Sequence, residues 1–145
     1  MTNIRIAAAP ISWGVCEVPG WGHQMNADRV LGEMAALGVE ATEFGPLGFL
    51  PEDAEGRRET LTAHGMKAVG GFVPVVLHDP GFDPLPEVDT ELDAYVAAGA
   101  EVLVLAANTG LDGYDATRPG MAEENWQAMA DNLARISQRA SLLSW

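Results

Sequence analysis

The chain has one cysteine among its 145 residues. Cys16 therefore has no internal disulfide partner, and a reducing, cytoplasmic compartment suits it. Basic residues are also scarce, eight against 21 acidic ones, for a net charge of −13. A phosphate backbone is held by clustered Lys and Arg. Here the only adjacent basic pair is Arg57-Arg58, so nucleic acid is excluded as a partner and the acidity reads as a solvated surface. No apolar run approaches the roughly 20 residues of a membrane span. Met1-Thr2-Asn3-Ile4-Arg5-Ile6 leads directly into a strand-like run, without the basic start and apolar core of a secretion signal. No Gly-x-Gly-x-x-Gly follows the first strand and there is no Walker-type loop, which weakens a dinucleotide- or nucleotide-binding sheet.

A repeat is present. Leu37-Gly38-Val39, His64-Gly65-Met66 and Ala98-Gly99-Ala100 each close a helical segment on a glycine and open a β-type run. Glycine suits the left-handed position just past a helix C-terminus, so these three mark a strand–helix unit. The expected strands are 4–10, 39–44, 66–74 and 101–107. The last is nearly all apolar, as for a parallel strand covered on both faces. Helix 1 is expected from the N-cap Asn26, with Val30, Leu31, Met34 and Leu37 at helical spacing. Helix 2 opens at Pro51, with Glu52 and Asp53 in its first turn, and ends at His64. Helix 3 carries Val88, Leu92, Tyr95 and Val96. Helix 4 runs over 122–140, with Trp126, Met129, Leu133 and Ile136 as its stripe and Arg135 and Arg139 in its last turns.

Four strand–helix units predict a parallel α/β sheet with right-handed crossovers. Either half of a (β/α)₈ barrel or a small doubly wound sheet fits. A complete barrel needs roughly 200 residues or more, which this length excludes, and residues 1–145 are expected to form one domain. The loops after the strands (11–25, 45–50, 75–85 and 108–121) are long and rich in Gly, Pro and polar residues, whereas the connections after the helices are almost absent. Both architectures place their sites on that loop-bearing, C-terminal side of the strands. After helix 4 the chain reads Ser141-Leu142-Leu143-Ser144-Trp145, where a fifth strand is due. The expectation is a truncated form.

Glu43, ending the second strand before Gly45-Pro46, is the sharpest chemical candidate: its carboxylate can hydrogen-bond hydroxyls or act as a general base, or else cap a loop amide. Trp13, just past the first strand, can stack on a sugar ring or plug the barrel mouth. Asn108 ends the fourth strand, where an amide can recognise a hydroxyl, although Asn108-Thr109-Gly110 is also good turn chemistry. Phe72 is a candidate pocket wall. His78, Asp79 and Asp83 could join Glu43 around a divalent ion, but no metal-ligand spacing demands it and no metal site is expected within this chain. Cys16 reads as a packing residue, His23 as solvated, and His64 as belonging to the opposite face.

Ala9-Pro10-Ile11-Ser12-Trp13-Gly14 resembles the inosose dehydratase branch of the xylose-isomerase-like barrels. The similarity continues through Glu33-Met34-Ala35-Ala36-Leu37-Gly38, Ala41-Thr42-Glu43-Phe44-Gly45-Pro46, Gly48-Phe49-Leu50-Pro51, the loop after the fourth strand, and Glu123-Glu124-Asn125-Trp126. The resemblance implies the N-terminal half of a TIM barrel of about twice this length. It also implies a divalent metal, manganese or cobalt, held by acidic and His ligands on the C-terminal half, and proton abstraction next to a carbonyl leading to isomerisation, epimerisation or loss of water. Trp13, Glu43 and Asn108 carry over as contacts to a small polyol or keto-sugar. The ligand-bearing half has no counterpart here. That leaves a sugar isomerase, epimerase or dehydratase in truncated form, a non-catalytic remnant that at most binds a polyol, or a half-barrel that pairs with itself through open strand edges.

Overall fold

The computed structural model describes residues 6–18, 20–113 and 116–143. Its elements run β1 (Ala7–Ala8), a 3₁₀ turn (Pro10–Trp13), α1 (Ala27–Ala36), β2 (Ala41–Thr42), α2 (Ala54–Ala63), β3 (Lys67–Ala68), β4 (Gly70–Val75), α3 (Leu85–Ala98), β5 (Val102–Ala107) and α4 (Glu123–Ser141). This is four β/α units, with β3 and β4 as the two parts of the third strand. The expected ends of the chain, Ile4 and Ser144-Trp145, lie outside the described residues.

β1, β2 and β3 pair in parallel, with Ala7 opposite Ala41 opposite Lys67, and β4 lies beside β5. Chain contacts divide the protein into two compact units. The first is residues 1–72 with 94–103, and the second is 73–93 with 104–145.

In the first unit the local rules hold. The Asn26 side chain accepts from the Arg29 N–H and caps α1, a contact worth about 1 kcal/mol. Val30, Leu31 and Met34 are fully buried. Gly38, Gly65 and Gly99 all have positive φ, the left-handed residue past a helix end that the repeat predicted. Two expectations are corrected. Leu37 is 73% exposed, because it is the C-cap of α1 and has turned away from the buried face. Helix 2 begins at Ala54 rather than Pro51: Asp53 is the N-cap, accepting from the Gly56 N–H at 2.7 Å. Pro51 stays outside the helix, its carbonyl accepting from Arg57 Nε.

The third strand is also interrupted, where one run over 66–74 was expected. Val69 O accepts from both the Glu101 and Val102 N–H groups, while Val69 N–H donates to Thr42 O and Phe44 N–H to Gly70 O. Two residues, Val69 and Gly70, thus stand where the ladder has room for one, which is a β-bulge. Only glycine fits at 70: a Cβ there would lie 1.7 Å from Val102 O. The extra residue inverts the side-chain alternation beyond it. Gly71 faces Tyr95, whose hydroxyl would lie 2.3 Å from a Cβ at 71, and Phe72 turns to the other face, 50% exposed.

In the second unit Val73, Val75, Leu77, Val88, Leu92 and Ile136 form the core. The stripe expected on α4 is only partly buried: Ile136 is 2% exposed, but Trp126 is 47% and Leu133 37% exposed. Polar ties replace the missing apolar ones. The buried Asn132 donates through Nδ2 to Leu77 O at 3.0 Å and accepts from Arg135 through Oδ1. Arg135 also pairs with Asp83, and Arg139 with Asp89. The Arg118 guanidinium lies 5.8 Å above the Trp126 ring.

Two further apolar expectations give way. Val96 on α3 is 41% exposed, and Val102 and Val104 on β5 are 45% and 40% exposed, so β5 is not covered on both faces.

Candidate functional site

Three of the four candidate residues lie in the first unit: Trp13 and Glu43 just past strand C-terminal ends, and Phe72 within β4. Thr42 and Phe44 are buried on the helix side of the second strand. Alternation then places Glu43, between them, on the opposite face. Its N–H donates to Ala8 O at 3.0 Å and its carbonyl accepts from the Thr42 hydroxyl. The half-buried carboxylate has no hydrogen-bond partner among the described residues, so it does not cap a loop amide there. Beneath it Phe44 packs on Tyr95 with ring centroids 5.0 Å apart, and the Arg57 guanidinium lies 5.4 Å from the Phe44 ring centre.

Phe72 is on the same face as Glu43, put there by the bulge. The turn after Glu43 is pressed against the Trp13 turn: a Cβ on the positive-φ Gly45 would lie 2.9 Å from Pro10 Cγ and 3.0 Å from Phe49. Trp13 closes the 3₁₀ turn that Pro10 opens. Its indole Nε1–H donates to Glu33 Oε2 at 3.0 Å, and Glu33 Oε1 accepts from Arg29 Nε at 3.0 Å. The Arg29 hydrogen bond holds the Glu33 carboxyl below the ordinary carboxylate value; partial desolvation opposes it, and the Trp13 indole acts with Arg29. The indole is therefore fixed in one orientation by a charged acceptor.

Asn108 belongs to the second unit. Its N–H donates to Val75 O, and its Oδ1 accepts from the Gly110 N–H at 3.0 Å, an Asx turn. One oxygen lone pair and the amide NH₂ remain for a ligand.

Of the residues raised for a metal, Asp79 and Asp83 are already engaged. Asp79 Oδ1 accepts from the Gly81 N–H, and Asp83 Oδ1 pairs with Arg135 and accepts from the Leu85 N–H. Among the described residues no three His, Cys, Asp or Glu side chains are grouped to hold an ion. The described residues do not gather a ligand set for the divalent ion that the resemblance implies.

Two clefts stand out among the described residues of the first unit. One, of about 580 Å³, is lined by Glu40, Arg58, Lys67 and Gly99, at the N-terminal ends of the strands. The other, of about 780 Å³, lies between the loop 15–27 and the turn 46–49, on the side that carries Glu43. Barrels place their sites on the C-terminal side of the strands, the side on which the second cleft lies. Sequence reasoning missed this cleft and the bulge. The signal for the bulge was available in Val69-Gly70-Gly71, since glycine inside a strand marks such a site.

The comparisons with known proteins bear on the fold. In structure, the chain matches D-psicose 3-epimerase from Clostridium cellulolyticum H10, solved with D-tagatose, at a TM-score of 0.70 and 14% identity, over 97% of this chain and 50% of that one. It matches an L-ribulose 3-epimerase at a TM-score of 0.65 and 12% identity, over 97% and 47%. The fold is thus half of a (β/α)₈ barrel.

In sequence, it is 40% identical to the inosose dehydratase of Geobacillus kaustophilus (strain HTA426) over 75 residues, 52% of this chain and 24% of the relative. It is 26% identical to the rhizopine catabolism protein MocC of Rhizobium meliloti over 96% of this chain and 44% of that protein. No protein-family model matches. The chain is similar in sequence to inosose dehydratases and to MocC and in fold to sugar 3-epimerases, and it spans about half the length of the curated relatives it matches over nearly its whole length. Among the described residues no helix is long and apolar enough to cross a membrane.

Proposed function

We propose that the C-terminal face of the first unit binds a polyol or keto-sugar, as part of a sugar isomerase, epimerase or dehydratase of the inosose dehydratase type. The observation that carries this reading is the 40% identity to an inosose dehydratase. Supporting it, Trp13 and Glu43 sit on neighbouring turns at strand C-terminal ends. Glu43 accepts hydrogen bonds from ligand hydroxyls, or takes a proton from the carbon next to the carbonyl. Trp13 offers a ring held still by Glu33, and Phe72 forms a pocket wall; in the second unit, the Asn108 amide is by itself suited to contact a hydroxyl. No step is assigned to a metal, because the described residues gather no ligand set for one. A place in inositol catabolism in the cytoplasm goes with this reading.

Calorimetric titration with inosose tests it. Saturable binding that Glu43→Gln weakens about tenfold is the expected result, since a hydrogen bond to a charged group is worth about 1.5–3 kcal/mol. Wild-type protein that takes up no inosose refutes it.

A second reading is favoured by the exposure of Phe72 and Val102: a non-catalytic half-barrel whose open strand face pairs with a second copy. Light scattering after size-exclusion chromatography decides it. A dimer that Phe72→Glu dissociates supports pairing, and a monomer excludes it.

A further inference from the structure

The cleft at the N-terminal ends of the first unit's strands is left unused by the sugar reading. Most basic side chains among the described residues are engaged. Arg29, Arg135 and Arg139 are ion-paired, Arg57 donates to Pro51 O and lies over Phe44, and Arg118 lies over Trp126. Arg58 and Lys67 alone have no side-chain partner there, although the chain has 21 acidic residues to offer. Both line the same hollow, the cleft of about 580 Å³. Glu40 and Glu101 line it too, and their carboxylates also have no partner among the described residues. Helix α2 presents Arg58, Leu61 and Thr62, one turn apart, to this cleft. Across the strands Ala7, Ala41 and Lys67 stand side by side in register, two small residues that leave room beside one long cation. Leu61 is 2% and Met66 4% exposed, so the floor is apolar, and a Cβ on Gly99 at the edge would meet nothing within 4 Å.

A hollow of this size, apolar at its floor with a few charged groups around it, has the usual form of a small-molecule site. Side chains of opposite sign that share it without pairing with each other leave both kinds of contact to a ligand. A simple anion is opposed by the two carboxylates and by the net charge of −13, and a simple cation by Arg58 and Lys67. We infer that this cleft binds a small zwitterion with an aliphatic body, of the amino-acid class. Its carboxylate is held by Arg58 and Lys67, its ammonium by Glu40 and Glu101, and its side chain lies over Leu61 and Met66. The site is at the opposite ends of the strands from Glu43 and does not depend on the polyol reading.

Titration with L-leucine, followed by amide chemical shifts, tests this. Saturable shifts at Lys67, Gly99 and Glu101 are expected, and Arg58→Gln and Glu101→Gln should each need about tenfold more leucine, the loss of one hydrogen bond to a charged group. Arg58 and Glu101 are exposed, so neither variant threatens the fold. Isocaproate, which lacks the ammonium, and isoamylamine, which lacks the carboxylate, isolate the two halves of the ligand. Each is expected to bind about tenfold more weakly than leucine. The absence of a saturable shift with leucine overturns the inference. Isocaproate binding as well as leucine makes the cleft an anion pocket, isoamylamine binding as well makes it a cation pocket, and either result overturns it too.

Discussion

Replacing Gly70 with alanine tests the bulge that turns Phe72 toward the Glu43 face. The added methyl would sit 1.7 Å from Val102 O and 2.7 Å from Val102 C, both backbone, so no side chain can swing away to relieve it. The strands must part, and the first bonds at risk are those from the Glu101 and Val102 N–H groups to Val69 O. Overpacking costs about 1–3 kcal/mol, and each lost bond adds about 1 kcal/mol. Together that is roughly 3–5 kcal/mol, a large share of the 5–15 kcal/mol that typically holds a domain. At about 2–4 °C per kcal/mol for a chain near this size, Tm should fall by about 6–20 °C. Gly32→Ala is the control: Gly32 lies within α1, has no atom within 4 Å of its ideal Cβ, and lacks positive φ. It should gain up to about 1 kcal/mol. Thermal and urea unfolding followed by circular dichroism measure both. A Gly70→Ala protein within 1 kcal/mol of wild type, on the scale of ordinary substitutions, would refute the bulge geometry.

Asn132→Ala should destabilise by about 1–3 kcal/mol in urea unfolding, because it leaves the buried Leu77 carbonyl without its donor. Asp53→Ala should cost about 1 kcal/mol by removing the α2 cap, with helix loss visible in the far-UV. Glu33, held below the usual carboxylate value by Arg29, favours the folded state above the unfolded carboxylate pKa, near 4.3 for glutamate. That contribution disappears as pH falls through the lower folded value. In Glu33→Gln the acid-side loss of stability should therefore be shallower than in wild type, and the Trp13 emission should lose its response over the same pH window.

Much of this fold was legible as residues. Gly38, Gly65 and Gly99 located the helix ends, because a left-handed backbone admits few other side chains, and Asn26 gave the start of α1. Helix 2 misled because Pro51 and Asp53 are both good opening residues, and only the Asp53–Gly56 bond distinguishes them. The exposure of Val102, Val104, Leu133 and Val96 was hidden for a different reason. Periodicity tells which side chains share a face and nothing about whether the face is covered. Glu43 could be placed by alternation alone. Phe72 could not, since a single extra residue at Val69-Gly70 reverses every side chain after it. The cleft between the loop 15–27 and the turn 46–49 was illegible because it depends on a closure between Gly14 and His23 that no periodic pattern encodes.

The central claim is that the polyol-binding side of the first unit is the C-terminal end of its strands. Amide chemical-shift mapping during an inosose titration tests this most directly. The account predicts saturable shifts at Trp13, Glu43 and the turn through Phe49, with Glu40, Lys67 and Gly99 at the other end unmoved. Shifts confined to Glu40, Lys67 and Gly99 would contradict it.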